Sequence, residues 1–523
     1  MWLKKLNAFL AVSISLLVSV GAVSAKDVLP TNIPVYNVVD FGAVGDGVTE
    51  NADALQSAVD HCSSKGGGTV YVPNGTFVTG TVVLKTNVFL YLEAGAVLKG
   101  SGNLGEYLDE SEGRVGIINA EFAQNLGILG QGTIDGNGFA FWEEDWTPKE
   151  RPMLSLYFDN CNDVTIRDIT ILNSPALTIY LKGVNGAVVE GVTIISPLES
   201  PNTDAIDPSG SRNIRISNCY LSAGDDIICF KSPKGYPPTE DITVTNCILV
   251  SDDSAIKLGT SSNVVTRRVT VSNCVIRDTR YGISLFMKDG GTYENITFDN
   301  IVMHTGGQSS HYFPIFIDIE TRDGAPLGTV RDITFSNMQI VSGGHCLIGG
   351  APGKPLENIT FDNITWRMET AQPVEGLHKP RGAKELGGTP TPADFTNVPA
   401  NISFYHIKGL TVRNFKVIVD DTSGEDRHFL FGHDIVEGVF DGLEGGSIQG
   451  VGGLSAILME QSSNLVFRNC LAKQGAGVYL ELAGERTDDI TLIGNVLHNS
   501  TKPFVVKDGA SKRAVTTLSN RLK

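Results

Sequence analysis

A repeat of about 27 residues constrains this chain more than any other feature. Segments of one pattern recur: RNIRISNCYL from Arg212, EDITVTNCIL from Glu240, RRVTVSNCVI from Arg267, ENITFDNIVM from Glu294, RDITFSNMQI from Arg331, ENITFDNITW from Glu357 and SNLVFRNCLA from Ser463. Asn218, Asn246, Asn273 and Asn300 stand 28, 27 and 27 residues apart. Weaker copies begin at Asn162, Gly186 and Asp488. Each copy alternates apolar and polar over four to six residues, which reads as strand. Strands this short cannot bury a face alone, so successive units must stack. The expected fold is all-β, a parallel β-helix with one strand set per coil. Length alone would allow three or four domains at roughly 150 residues each. A solenoid lengthens without dividing, so one β-helix domain over 26–523 is expected instead.

Composition fits that reading. Gly is abundant, 58 of 523 residues, and corners need residues that tolerate positive φ. The repeated asparagine is expected to form an inward ladder bonded to backbone at the bends. Cys219, Cys247 and Cys274 share one position in successive coils and read as a stack of small buried side chains. A helix is expected over Asn51–Val59, capped by Thr49 and closing the N-terminal end of the solenoid. Residues 35–100 would form that cap and the first coils. The repeat breaks near Thr365, and the proline-rich stretch 366–405 reads as a long loop excursion.

Lys4 and Lys5 precede an apolar run from Ala8 to Val20, and Val23-Ser24-Ala25 offers a small-residue cleavage site. That is the pattern of an export signal over residues 1–25, so the periplasm or the medium is the expected location. No later run is long and apolar enough to span a membrane. Eight cysteines are too few for a disulfide scaffold in so long an exported chain. The net charge of −17 gives no basic footprint for nucleic acid. The chain is expected to act as a monomer.

The repeat also supplies a register. Seven residues beyond each ladder asparagine stand Asp225, Asp253 and Arg280; eight beyond stand Asp226, Ser254 and Tyr281. Aligning Ile206 with the apolar column of Ile228, Ile256 and Ile283 sets Asp204 beside Asp226, and Asp207 beside Cys229 and Lys257. Asp204, Asp225 and Asp226 then share one patch, with Lys231 and Lys257 close along the same strands. Three carboxylates so close repel, so at least one should keep its proton near neutrality. An acid beside a base is what glycosidic cleavage requires. Trp142, Trp146 and Tyr236 are candidate flat surfaces for a sugar. All nine histidines read as surface residues, and none as catalytic.

Particular motifs carry a family likeness. SPNTDAIDPSG (Ser200–Gly210) and SAGDDIICFKS (Ser222–Ser232) resemble the paired motifs of the polygalacturonase family, glycoside hydrolase family 28. FGAVGDGVTENADALQSAVDHC (Phe41–Cys62), GQGTIDGNG (Gly130–Gly138) and NSPALTIYL (Asn173–Leu181) add to it, and the likeness runs from about Val35 to Gly306. The resemblance implies a right-handed parallel β-helix and hydrolysis of glycosidic bonds with inversion, without metal or other cofactor. It implies Asp225 as general acid, with Asp204 and Asp226 activating water, and a polysaccharide or oligosaccharide as partner. Asn202 and Lys231, within the paired motifs, are expected at the substrate.

The chain also departs from the family. Ser254 stands where a Gly-His-Gly histidine would be, and Ser284-Leu285-Phe286 replace an Arg-Ile-Lys that holds the substrate carboxylate. Lys257, Arg280 and Lys288 are candidates to restore that charge; otherwise the sugar at the cleaved position lacks a uronate. Two other readings stand beside the hydrolase: a β-helical lyase using calcium at Asp252 and Asp253, and a non-catalytic carbohydrate-binding β-helix.

Overall fold

The computed structural model describes residues 34–108, 116–307, 311–373, 398–450, 452–473 and 476–522. The leader read at 1–25 lies outside them.

Alternation along the chain becomes the architecture directly. In the strand Arg212–Ser217, Ile214 and Ile216 are buried while Arg212, Asn213 and Arg215 face water. Each inward residue meets its counterpart one coil on: Ile214 lies opposite Ile242, Ile242 opposite Val269, and Val269 opposite Ile296. Among the described residues every strand–strand pairing is parallel, and the strands join one continuous ladder. The molecule is a right-handed parallel β-helix, whose apolar core runs unbroken from Val38 to Leu497.

The Ile column beside the aspartates is central to that core. Ile206, Ile228, Ile256 and Ile283 are paired in series and fully buried. Truncating Ile256 to Ala removes side-chain contacts that two stacked neighbours cannot refill. We expect a loss of about 2–4 kcal/mol in denaturant unfolding, with the far-ultraviolet β signal retained below the transition.

Several expectations are corrected. The asparagine ladder points outward, not inward. Asn218, Asn246, Asn273 and Asn300 are exposed and adopt φ of 57°, 57°, 55° and 52°. That left-handed turn swings the amide to solvent and sends the next residue into the core. The amides bond from coil to coil, Asn246 Nδ2 to Asn218 Oδ1 at 3.3 Å and Asn300 Nδ2 to Asn273 Oδ1 at 2.7 Å. Cys219, Cys247 and Cys274 do stack inside, and all eight cysteines are free and buried.

The helix α1 (Ala52–Ser64) is longer than its apolar pattern suggested, with Asn51 rather than Thr49 at the N-cap. The Asn51 side chain turns away to the backbone of Val44, and Glu50 Oε1 accepts from the Ala52 amide at 2.8 Å. Leu55, Ala58, Val59 and Cys62 of α1 join the end of the core. The interruption after the repeat that starts at Glu357 is shorter than 366–405. The strand Leu356–Met368 keeps register to its last residue, Met368 opposite Val419, and Ala400–Val419 is again strand. Residues 374–397 lie outside the described ones. Among the described residues two histidines are buried: His345 and His428 are 1% and 5% exposed, His345 lying between the Ala400 carbonyl and Arg427.

Candidate active site

Three consecutive corners build the cleft. Asp204 precedes the strand Ile206–Ser209, Asp225 and Asp226 precede Ile228–Ser232, and Asp253 precedes Ser254–Ser262. Backbone bonds stack them: Ala205 N donates to Asp226 O at 2.9 Å, and Ile227 N to Ser254 O at 2.8 Å. Gly224 is needed for this closeness, because a Cβ there would stand 2.2 Å from the Ser200 carbonyl oxygen. Its amide donates to Thr203 Oγ1 at 3.0 Å, tying the two aspartate corners together.

Asp204, Asp225 and Asp226 each bring a carboxylate oxygen within 4.8 Å of the other two. Asp204 and Asp226 are buried, Asp225 half-buried. Their partners differ. Lys231 Nζ lies 2.9 Å from Asp204 Oδ2 and also bonds the fully buried Asp207. Lys257 Nζ lies 2.7 Å from Asp226 Oδ2. Among the described residues no lysine is bonded to Asp225; Asn202 Nδ2 approaches its Oδ2 at 3.4 Å, and its Oδ1 accepts from the Asp226 amide at 3.0 Å. Burial, then the charges of Asp204, Asp226 and Asp253, hold the Asp225 carboxyl well above the ordinary range. Asp226 is also raised by burial, but Lys257 opposes and limits the rise to about 6. Burial alone would lower the two lysines; for Lys231 the charges of Asp204 and Asp207 prevail, for Lys257 that of Asp226, and both ammoniums stay firmly protonated.

The cleft holds about 950 Å³ and is lined by these groups together with Trp146, Leu177, Glu199, Asp252 and Thr260. Arg151, which carries no repeat register and escaped sequence reasoning, braces one wall. Its guanidinium bonds the carbonyls of Pro175 and Pro201 at 2.7 and 2.9 Å and Asn202 Oδ1 at 2.9 Å. Asp207 was placed by register, but its service to Lys231 was not foreseen.

The other candidates lie differently. Trp146 faces the cleft, while Trp142 is buried with its indole N–H on the Pro175 carbonyl. Tyr236 packs under Lys182, 4.6 Å from ring centre to Nζ, away from the cleft lining. Lys288 does not reach the cleft: it is 2% exposed and bonded to Glu320 at 2.7 Å. Arg280 lies over the Tyr281 ring, 3.9 Å from Asp253, and is nearly buried. Groups of acidic and sulfur ligand atoms close enough to share a cation, among the described residues, are Asp204–Asp225–Asp226 and Asp204–Asp207–Cys229. Asp252 and Asp253, the calcium pair of the lyase reading, are in neither.

A parallel β-helix bearing a sugar-sized cleft, in which Asp204, Asp225 and Asp226 crowd together and burial raises Asp225 and Asp226, has the make-up of a β-helical glycosidase. Comparison makes this specific: residues 62–379 match Glycosyl hydrolases family 28, and the chain belongs to that family. The match starts later than the likeness read from the motifs and continues past Gly306 into the later coils. A probable polygalacturonase of Vitis vinifera is 29% identical over 411 residues, 68% of this chain and 79% of that protein. An endo-polygalacturonase of Pectobacterium carotovorum subsp. carotovorum is 24% identical, over 60% of this chain and 85% of its own length. Among solved structures, the exopolygalacturonase from Thermotoga maritima superposes with a TM-score of 0.56 at 23% identity, covering 65% of this chain and 88% of that one. The chain is therefore a glycoside hydrolase, acting on O-glycosyl bonds. The lyase and the non-catalytic alternatives give way to it.

Proposed function

We propose that this protein is an exported, inverting hydrolase of a pectin-like acidic polysaccharide or its oligosaccharides. Asp225 is the general acid, and Asp204 and Asp226 together hold and deprotonate the attacking water. The observation that carries this division is the allocation of cations: Lys231 and Lys257 serve Asp204 and Asp226, and neither is bonded to Asp225. Lys257 limits the rise of Asp226 to about 6, which leaves it a base near neutral pH, while Asp225, bonded to neither lysine, is held well above the ordinary range and keeps its proton as an acid must.

The spacing is short for inversion by a simple acid–base pair, whose carboxyls stand ~6.5–9.5 Å apart to admit water between them. Here a water bonded to Asp204 and Asp226 at ~2.8 Å each bridges oxygens up to ~5.6 Å apart. The two bases therefore share one water beside the acid. Inversion follows from the family likeness, and the leader-like residues 1–25 support export. The acidic polysaccharide is drawn from the polygalacturonase names of the relatives.

A polysaccharide panel with product sizing tests the substrate, and NMR of the first-formed anomer tests the stereochemistry. Retention of configuration would overturn the shared-water arrangement. Trp146 supplies an aromatic surface on the cleft wall, with Phe139 6.1 Å away ring to ring. Trp146→Ala is expected to raise KM about fivefold to thirtyfold while kcat changes less than threefold, because stacking holds substrate and transition state alike.

A further inference from the structure

We propose that the sugar residue whose anomeric carbon faces Asp204, Asp225 and Asp226 is uncharged, a neutral hexopyranose or deoxyhexopyranose and not a uronate. The inference rests on the reading of this cleft as the hydrolytic site and narrows what that site accepts.

Charge on the cleft wall is one argument. Besides the three aspartates it carries Asp145, Glu199, Asp252 and Asp253, against Lys231 and Lys257. Both lysines are committed. Lys231 is shared between two carboxylates, and Lys257 is held by Asp226. Each therefore neutralises charge already built into the protein. Arg151 is spent on two backbone carbonyls and Asn202, and Arg322, which bonds Thr260 on the cleft wall, is paired with Asp289.

The neighbouring coil is the second argument, and it is independent of the first. Positions 284–286 continue the face that bears Lys257, which pairs with Ser284 in register. Ser284 is buried and meets Ser254 Oγ at 3.2 Å. Leu285 belongs to the core, and Phe286 packs with Tyr281, Phe313 and Phe316 in a closed aromatic cluster. The cations flanking this cluster are turned to protein acids, Arg280 toward Asp253 and Lys288 to Glu320. Among the described residues, a carboxylate brought to this point meets aromatic rings and cations already paired with protein acids, Lys257 with Asp226 and Lys288 with Glu320. A hydroxymethyl or methyl group meets no such penalty.

Hydrolysis itself reports the residue. The bond from the anomeric carbon to the bridging oxygen breaks, that oxygen takes the proton of Asp225, and the water oxygen becomes the new anomeric hydroxyl. Digestion by the full-length protein of a pectin-derived mixture containing both neutral and uronate residues, in ¹⁸O-water, therefore labels the sugar that occupied the site. Mass spectrometry of the new reducing ends is expected to find label on neutral residues in at least tenfold excess over uronates. Label mainly on uronates would overturn this inference and leave the hydrolase reading intact. No label above that of an Asp225→Asn control would overturn the hydrolytic reading and this inference with it.

Discussion

Asp225→Asn is expected to cut the release of reducing ends by about 10²–10⁴-fold, with a folded β-helix retained. The amide keeps the shape of the carboxyl and its contacts with Asn202 and the Asp226 amide, but it cannot donate a proton to a leaving oxygen. The loss should therefore fall on kcat, with KM little changed. Stability should move the other way. The folded-state pKa of Asp225 is raised above its unfolded value. Its favourable contribution is thus fully present below the ordinary carboxylate pKa and is lost as the pH rises through the folded value. At pH 7 the wild type must keep Asp225 protonated where the unfolded chain would ionise it, a cost that the neutral amide does not bear. The variant's Tm at pH 7 should equal or exceed the wild type's, and the difference should vanish near pH 4. Undiminished activity would remove Asp225 from the acid's role. A Tm well below that of the wild type at pH 7 would mean that the residue serves the fold.

The fold was legible in the sequence because a solenoid repeats its physics in every coil. The pairing of Ile228, Ile256 and Ile283 follows from the spacing of the ladder asparagines, and aligning Ile206 with that apolar column brings Asp204 beside Asp226. What register cannot supply is direction at the corners and partnership across them. Alternation fails where a residue turns left-handed, so Asn218 and its successors point outward where an inward ladder was expected. Lysines are long enough to choose among several acids. Sequence placed Lys231, Lys257 and Lys288 near the site, but only the folded chain gives Lys231 to Asp204 and Asp207 and Lys288 to Glu320. Arg151 was illegible because it sits in a non-repeating segment and reaches across two coils to Pro175 and Pro201.

Lys257→Met is expected to displace the acidic limb of the pH–rate profile to higher pH and to lower kcat/KM at pH 6 by at least tenfold. Lys257 is the one force named above that draws Asp226 down toward about 6 against burial and the charges of Asp204 and Asp253. Without it Asp226 ionises only at higher pH, while Asp225 must still hold its proton. The two limbs of the bell approach each other and its maximum falls. A merely structural lysine would lower activity evenly at all pH values. Lys257→Arg, which keeps the charge, should restore the limb in part, although the fork fits a single acceptor poorly. Stability has its own signature. Asp226 Oδ1 is already buried without a hydrogen-bond partner, so losing Lys257 leaves the ionised carboxylate unsupported on both oxygens. Breaking such a buried pair costs about 3–5 kcal/mol. That cost applies where Asp226 is charged. Protonation relieves it, so the Tm deficit against wild type should be large at pH 8 and small at pH 5. Superimposable pH–rate profiles for wild type and Lys257→Met would show that the ion pair does not set the ionisation of Asp226, and the division of labour among the three aspartates would need another cause.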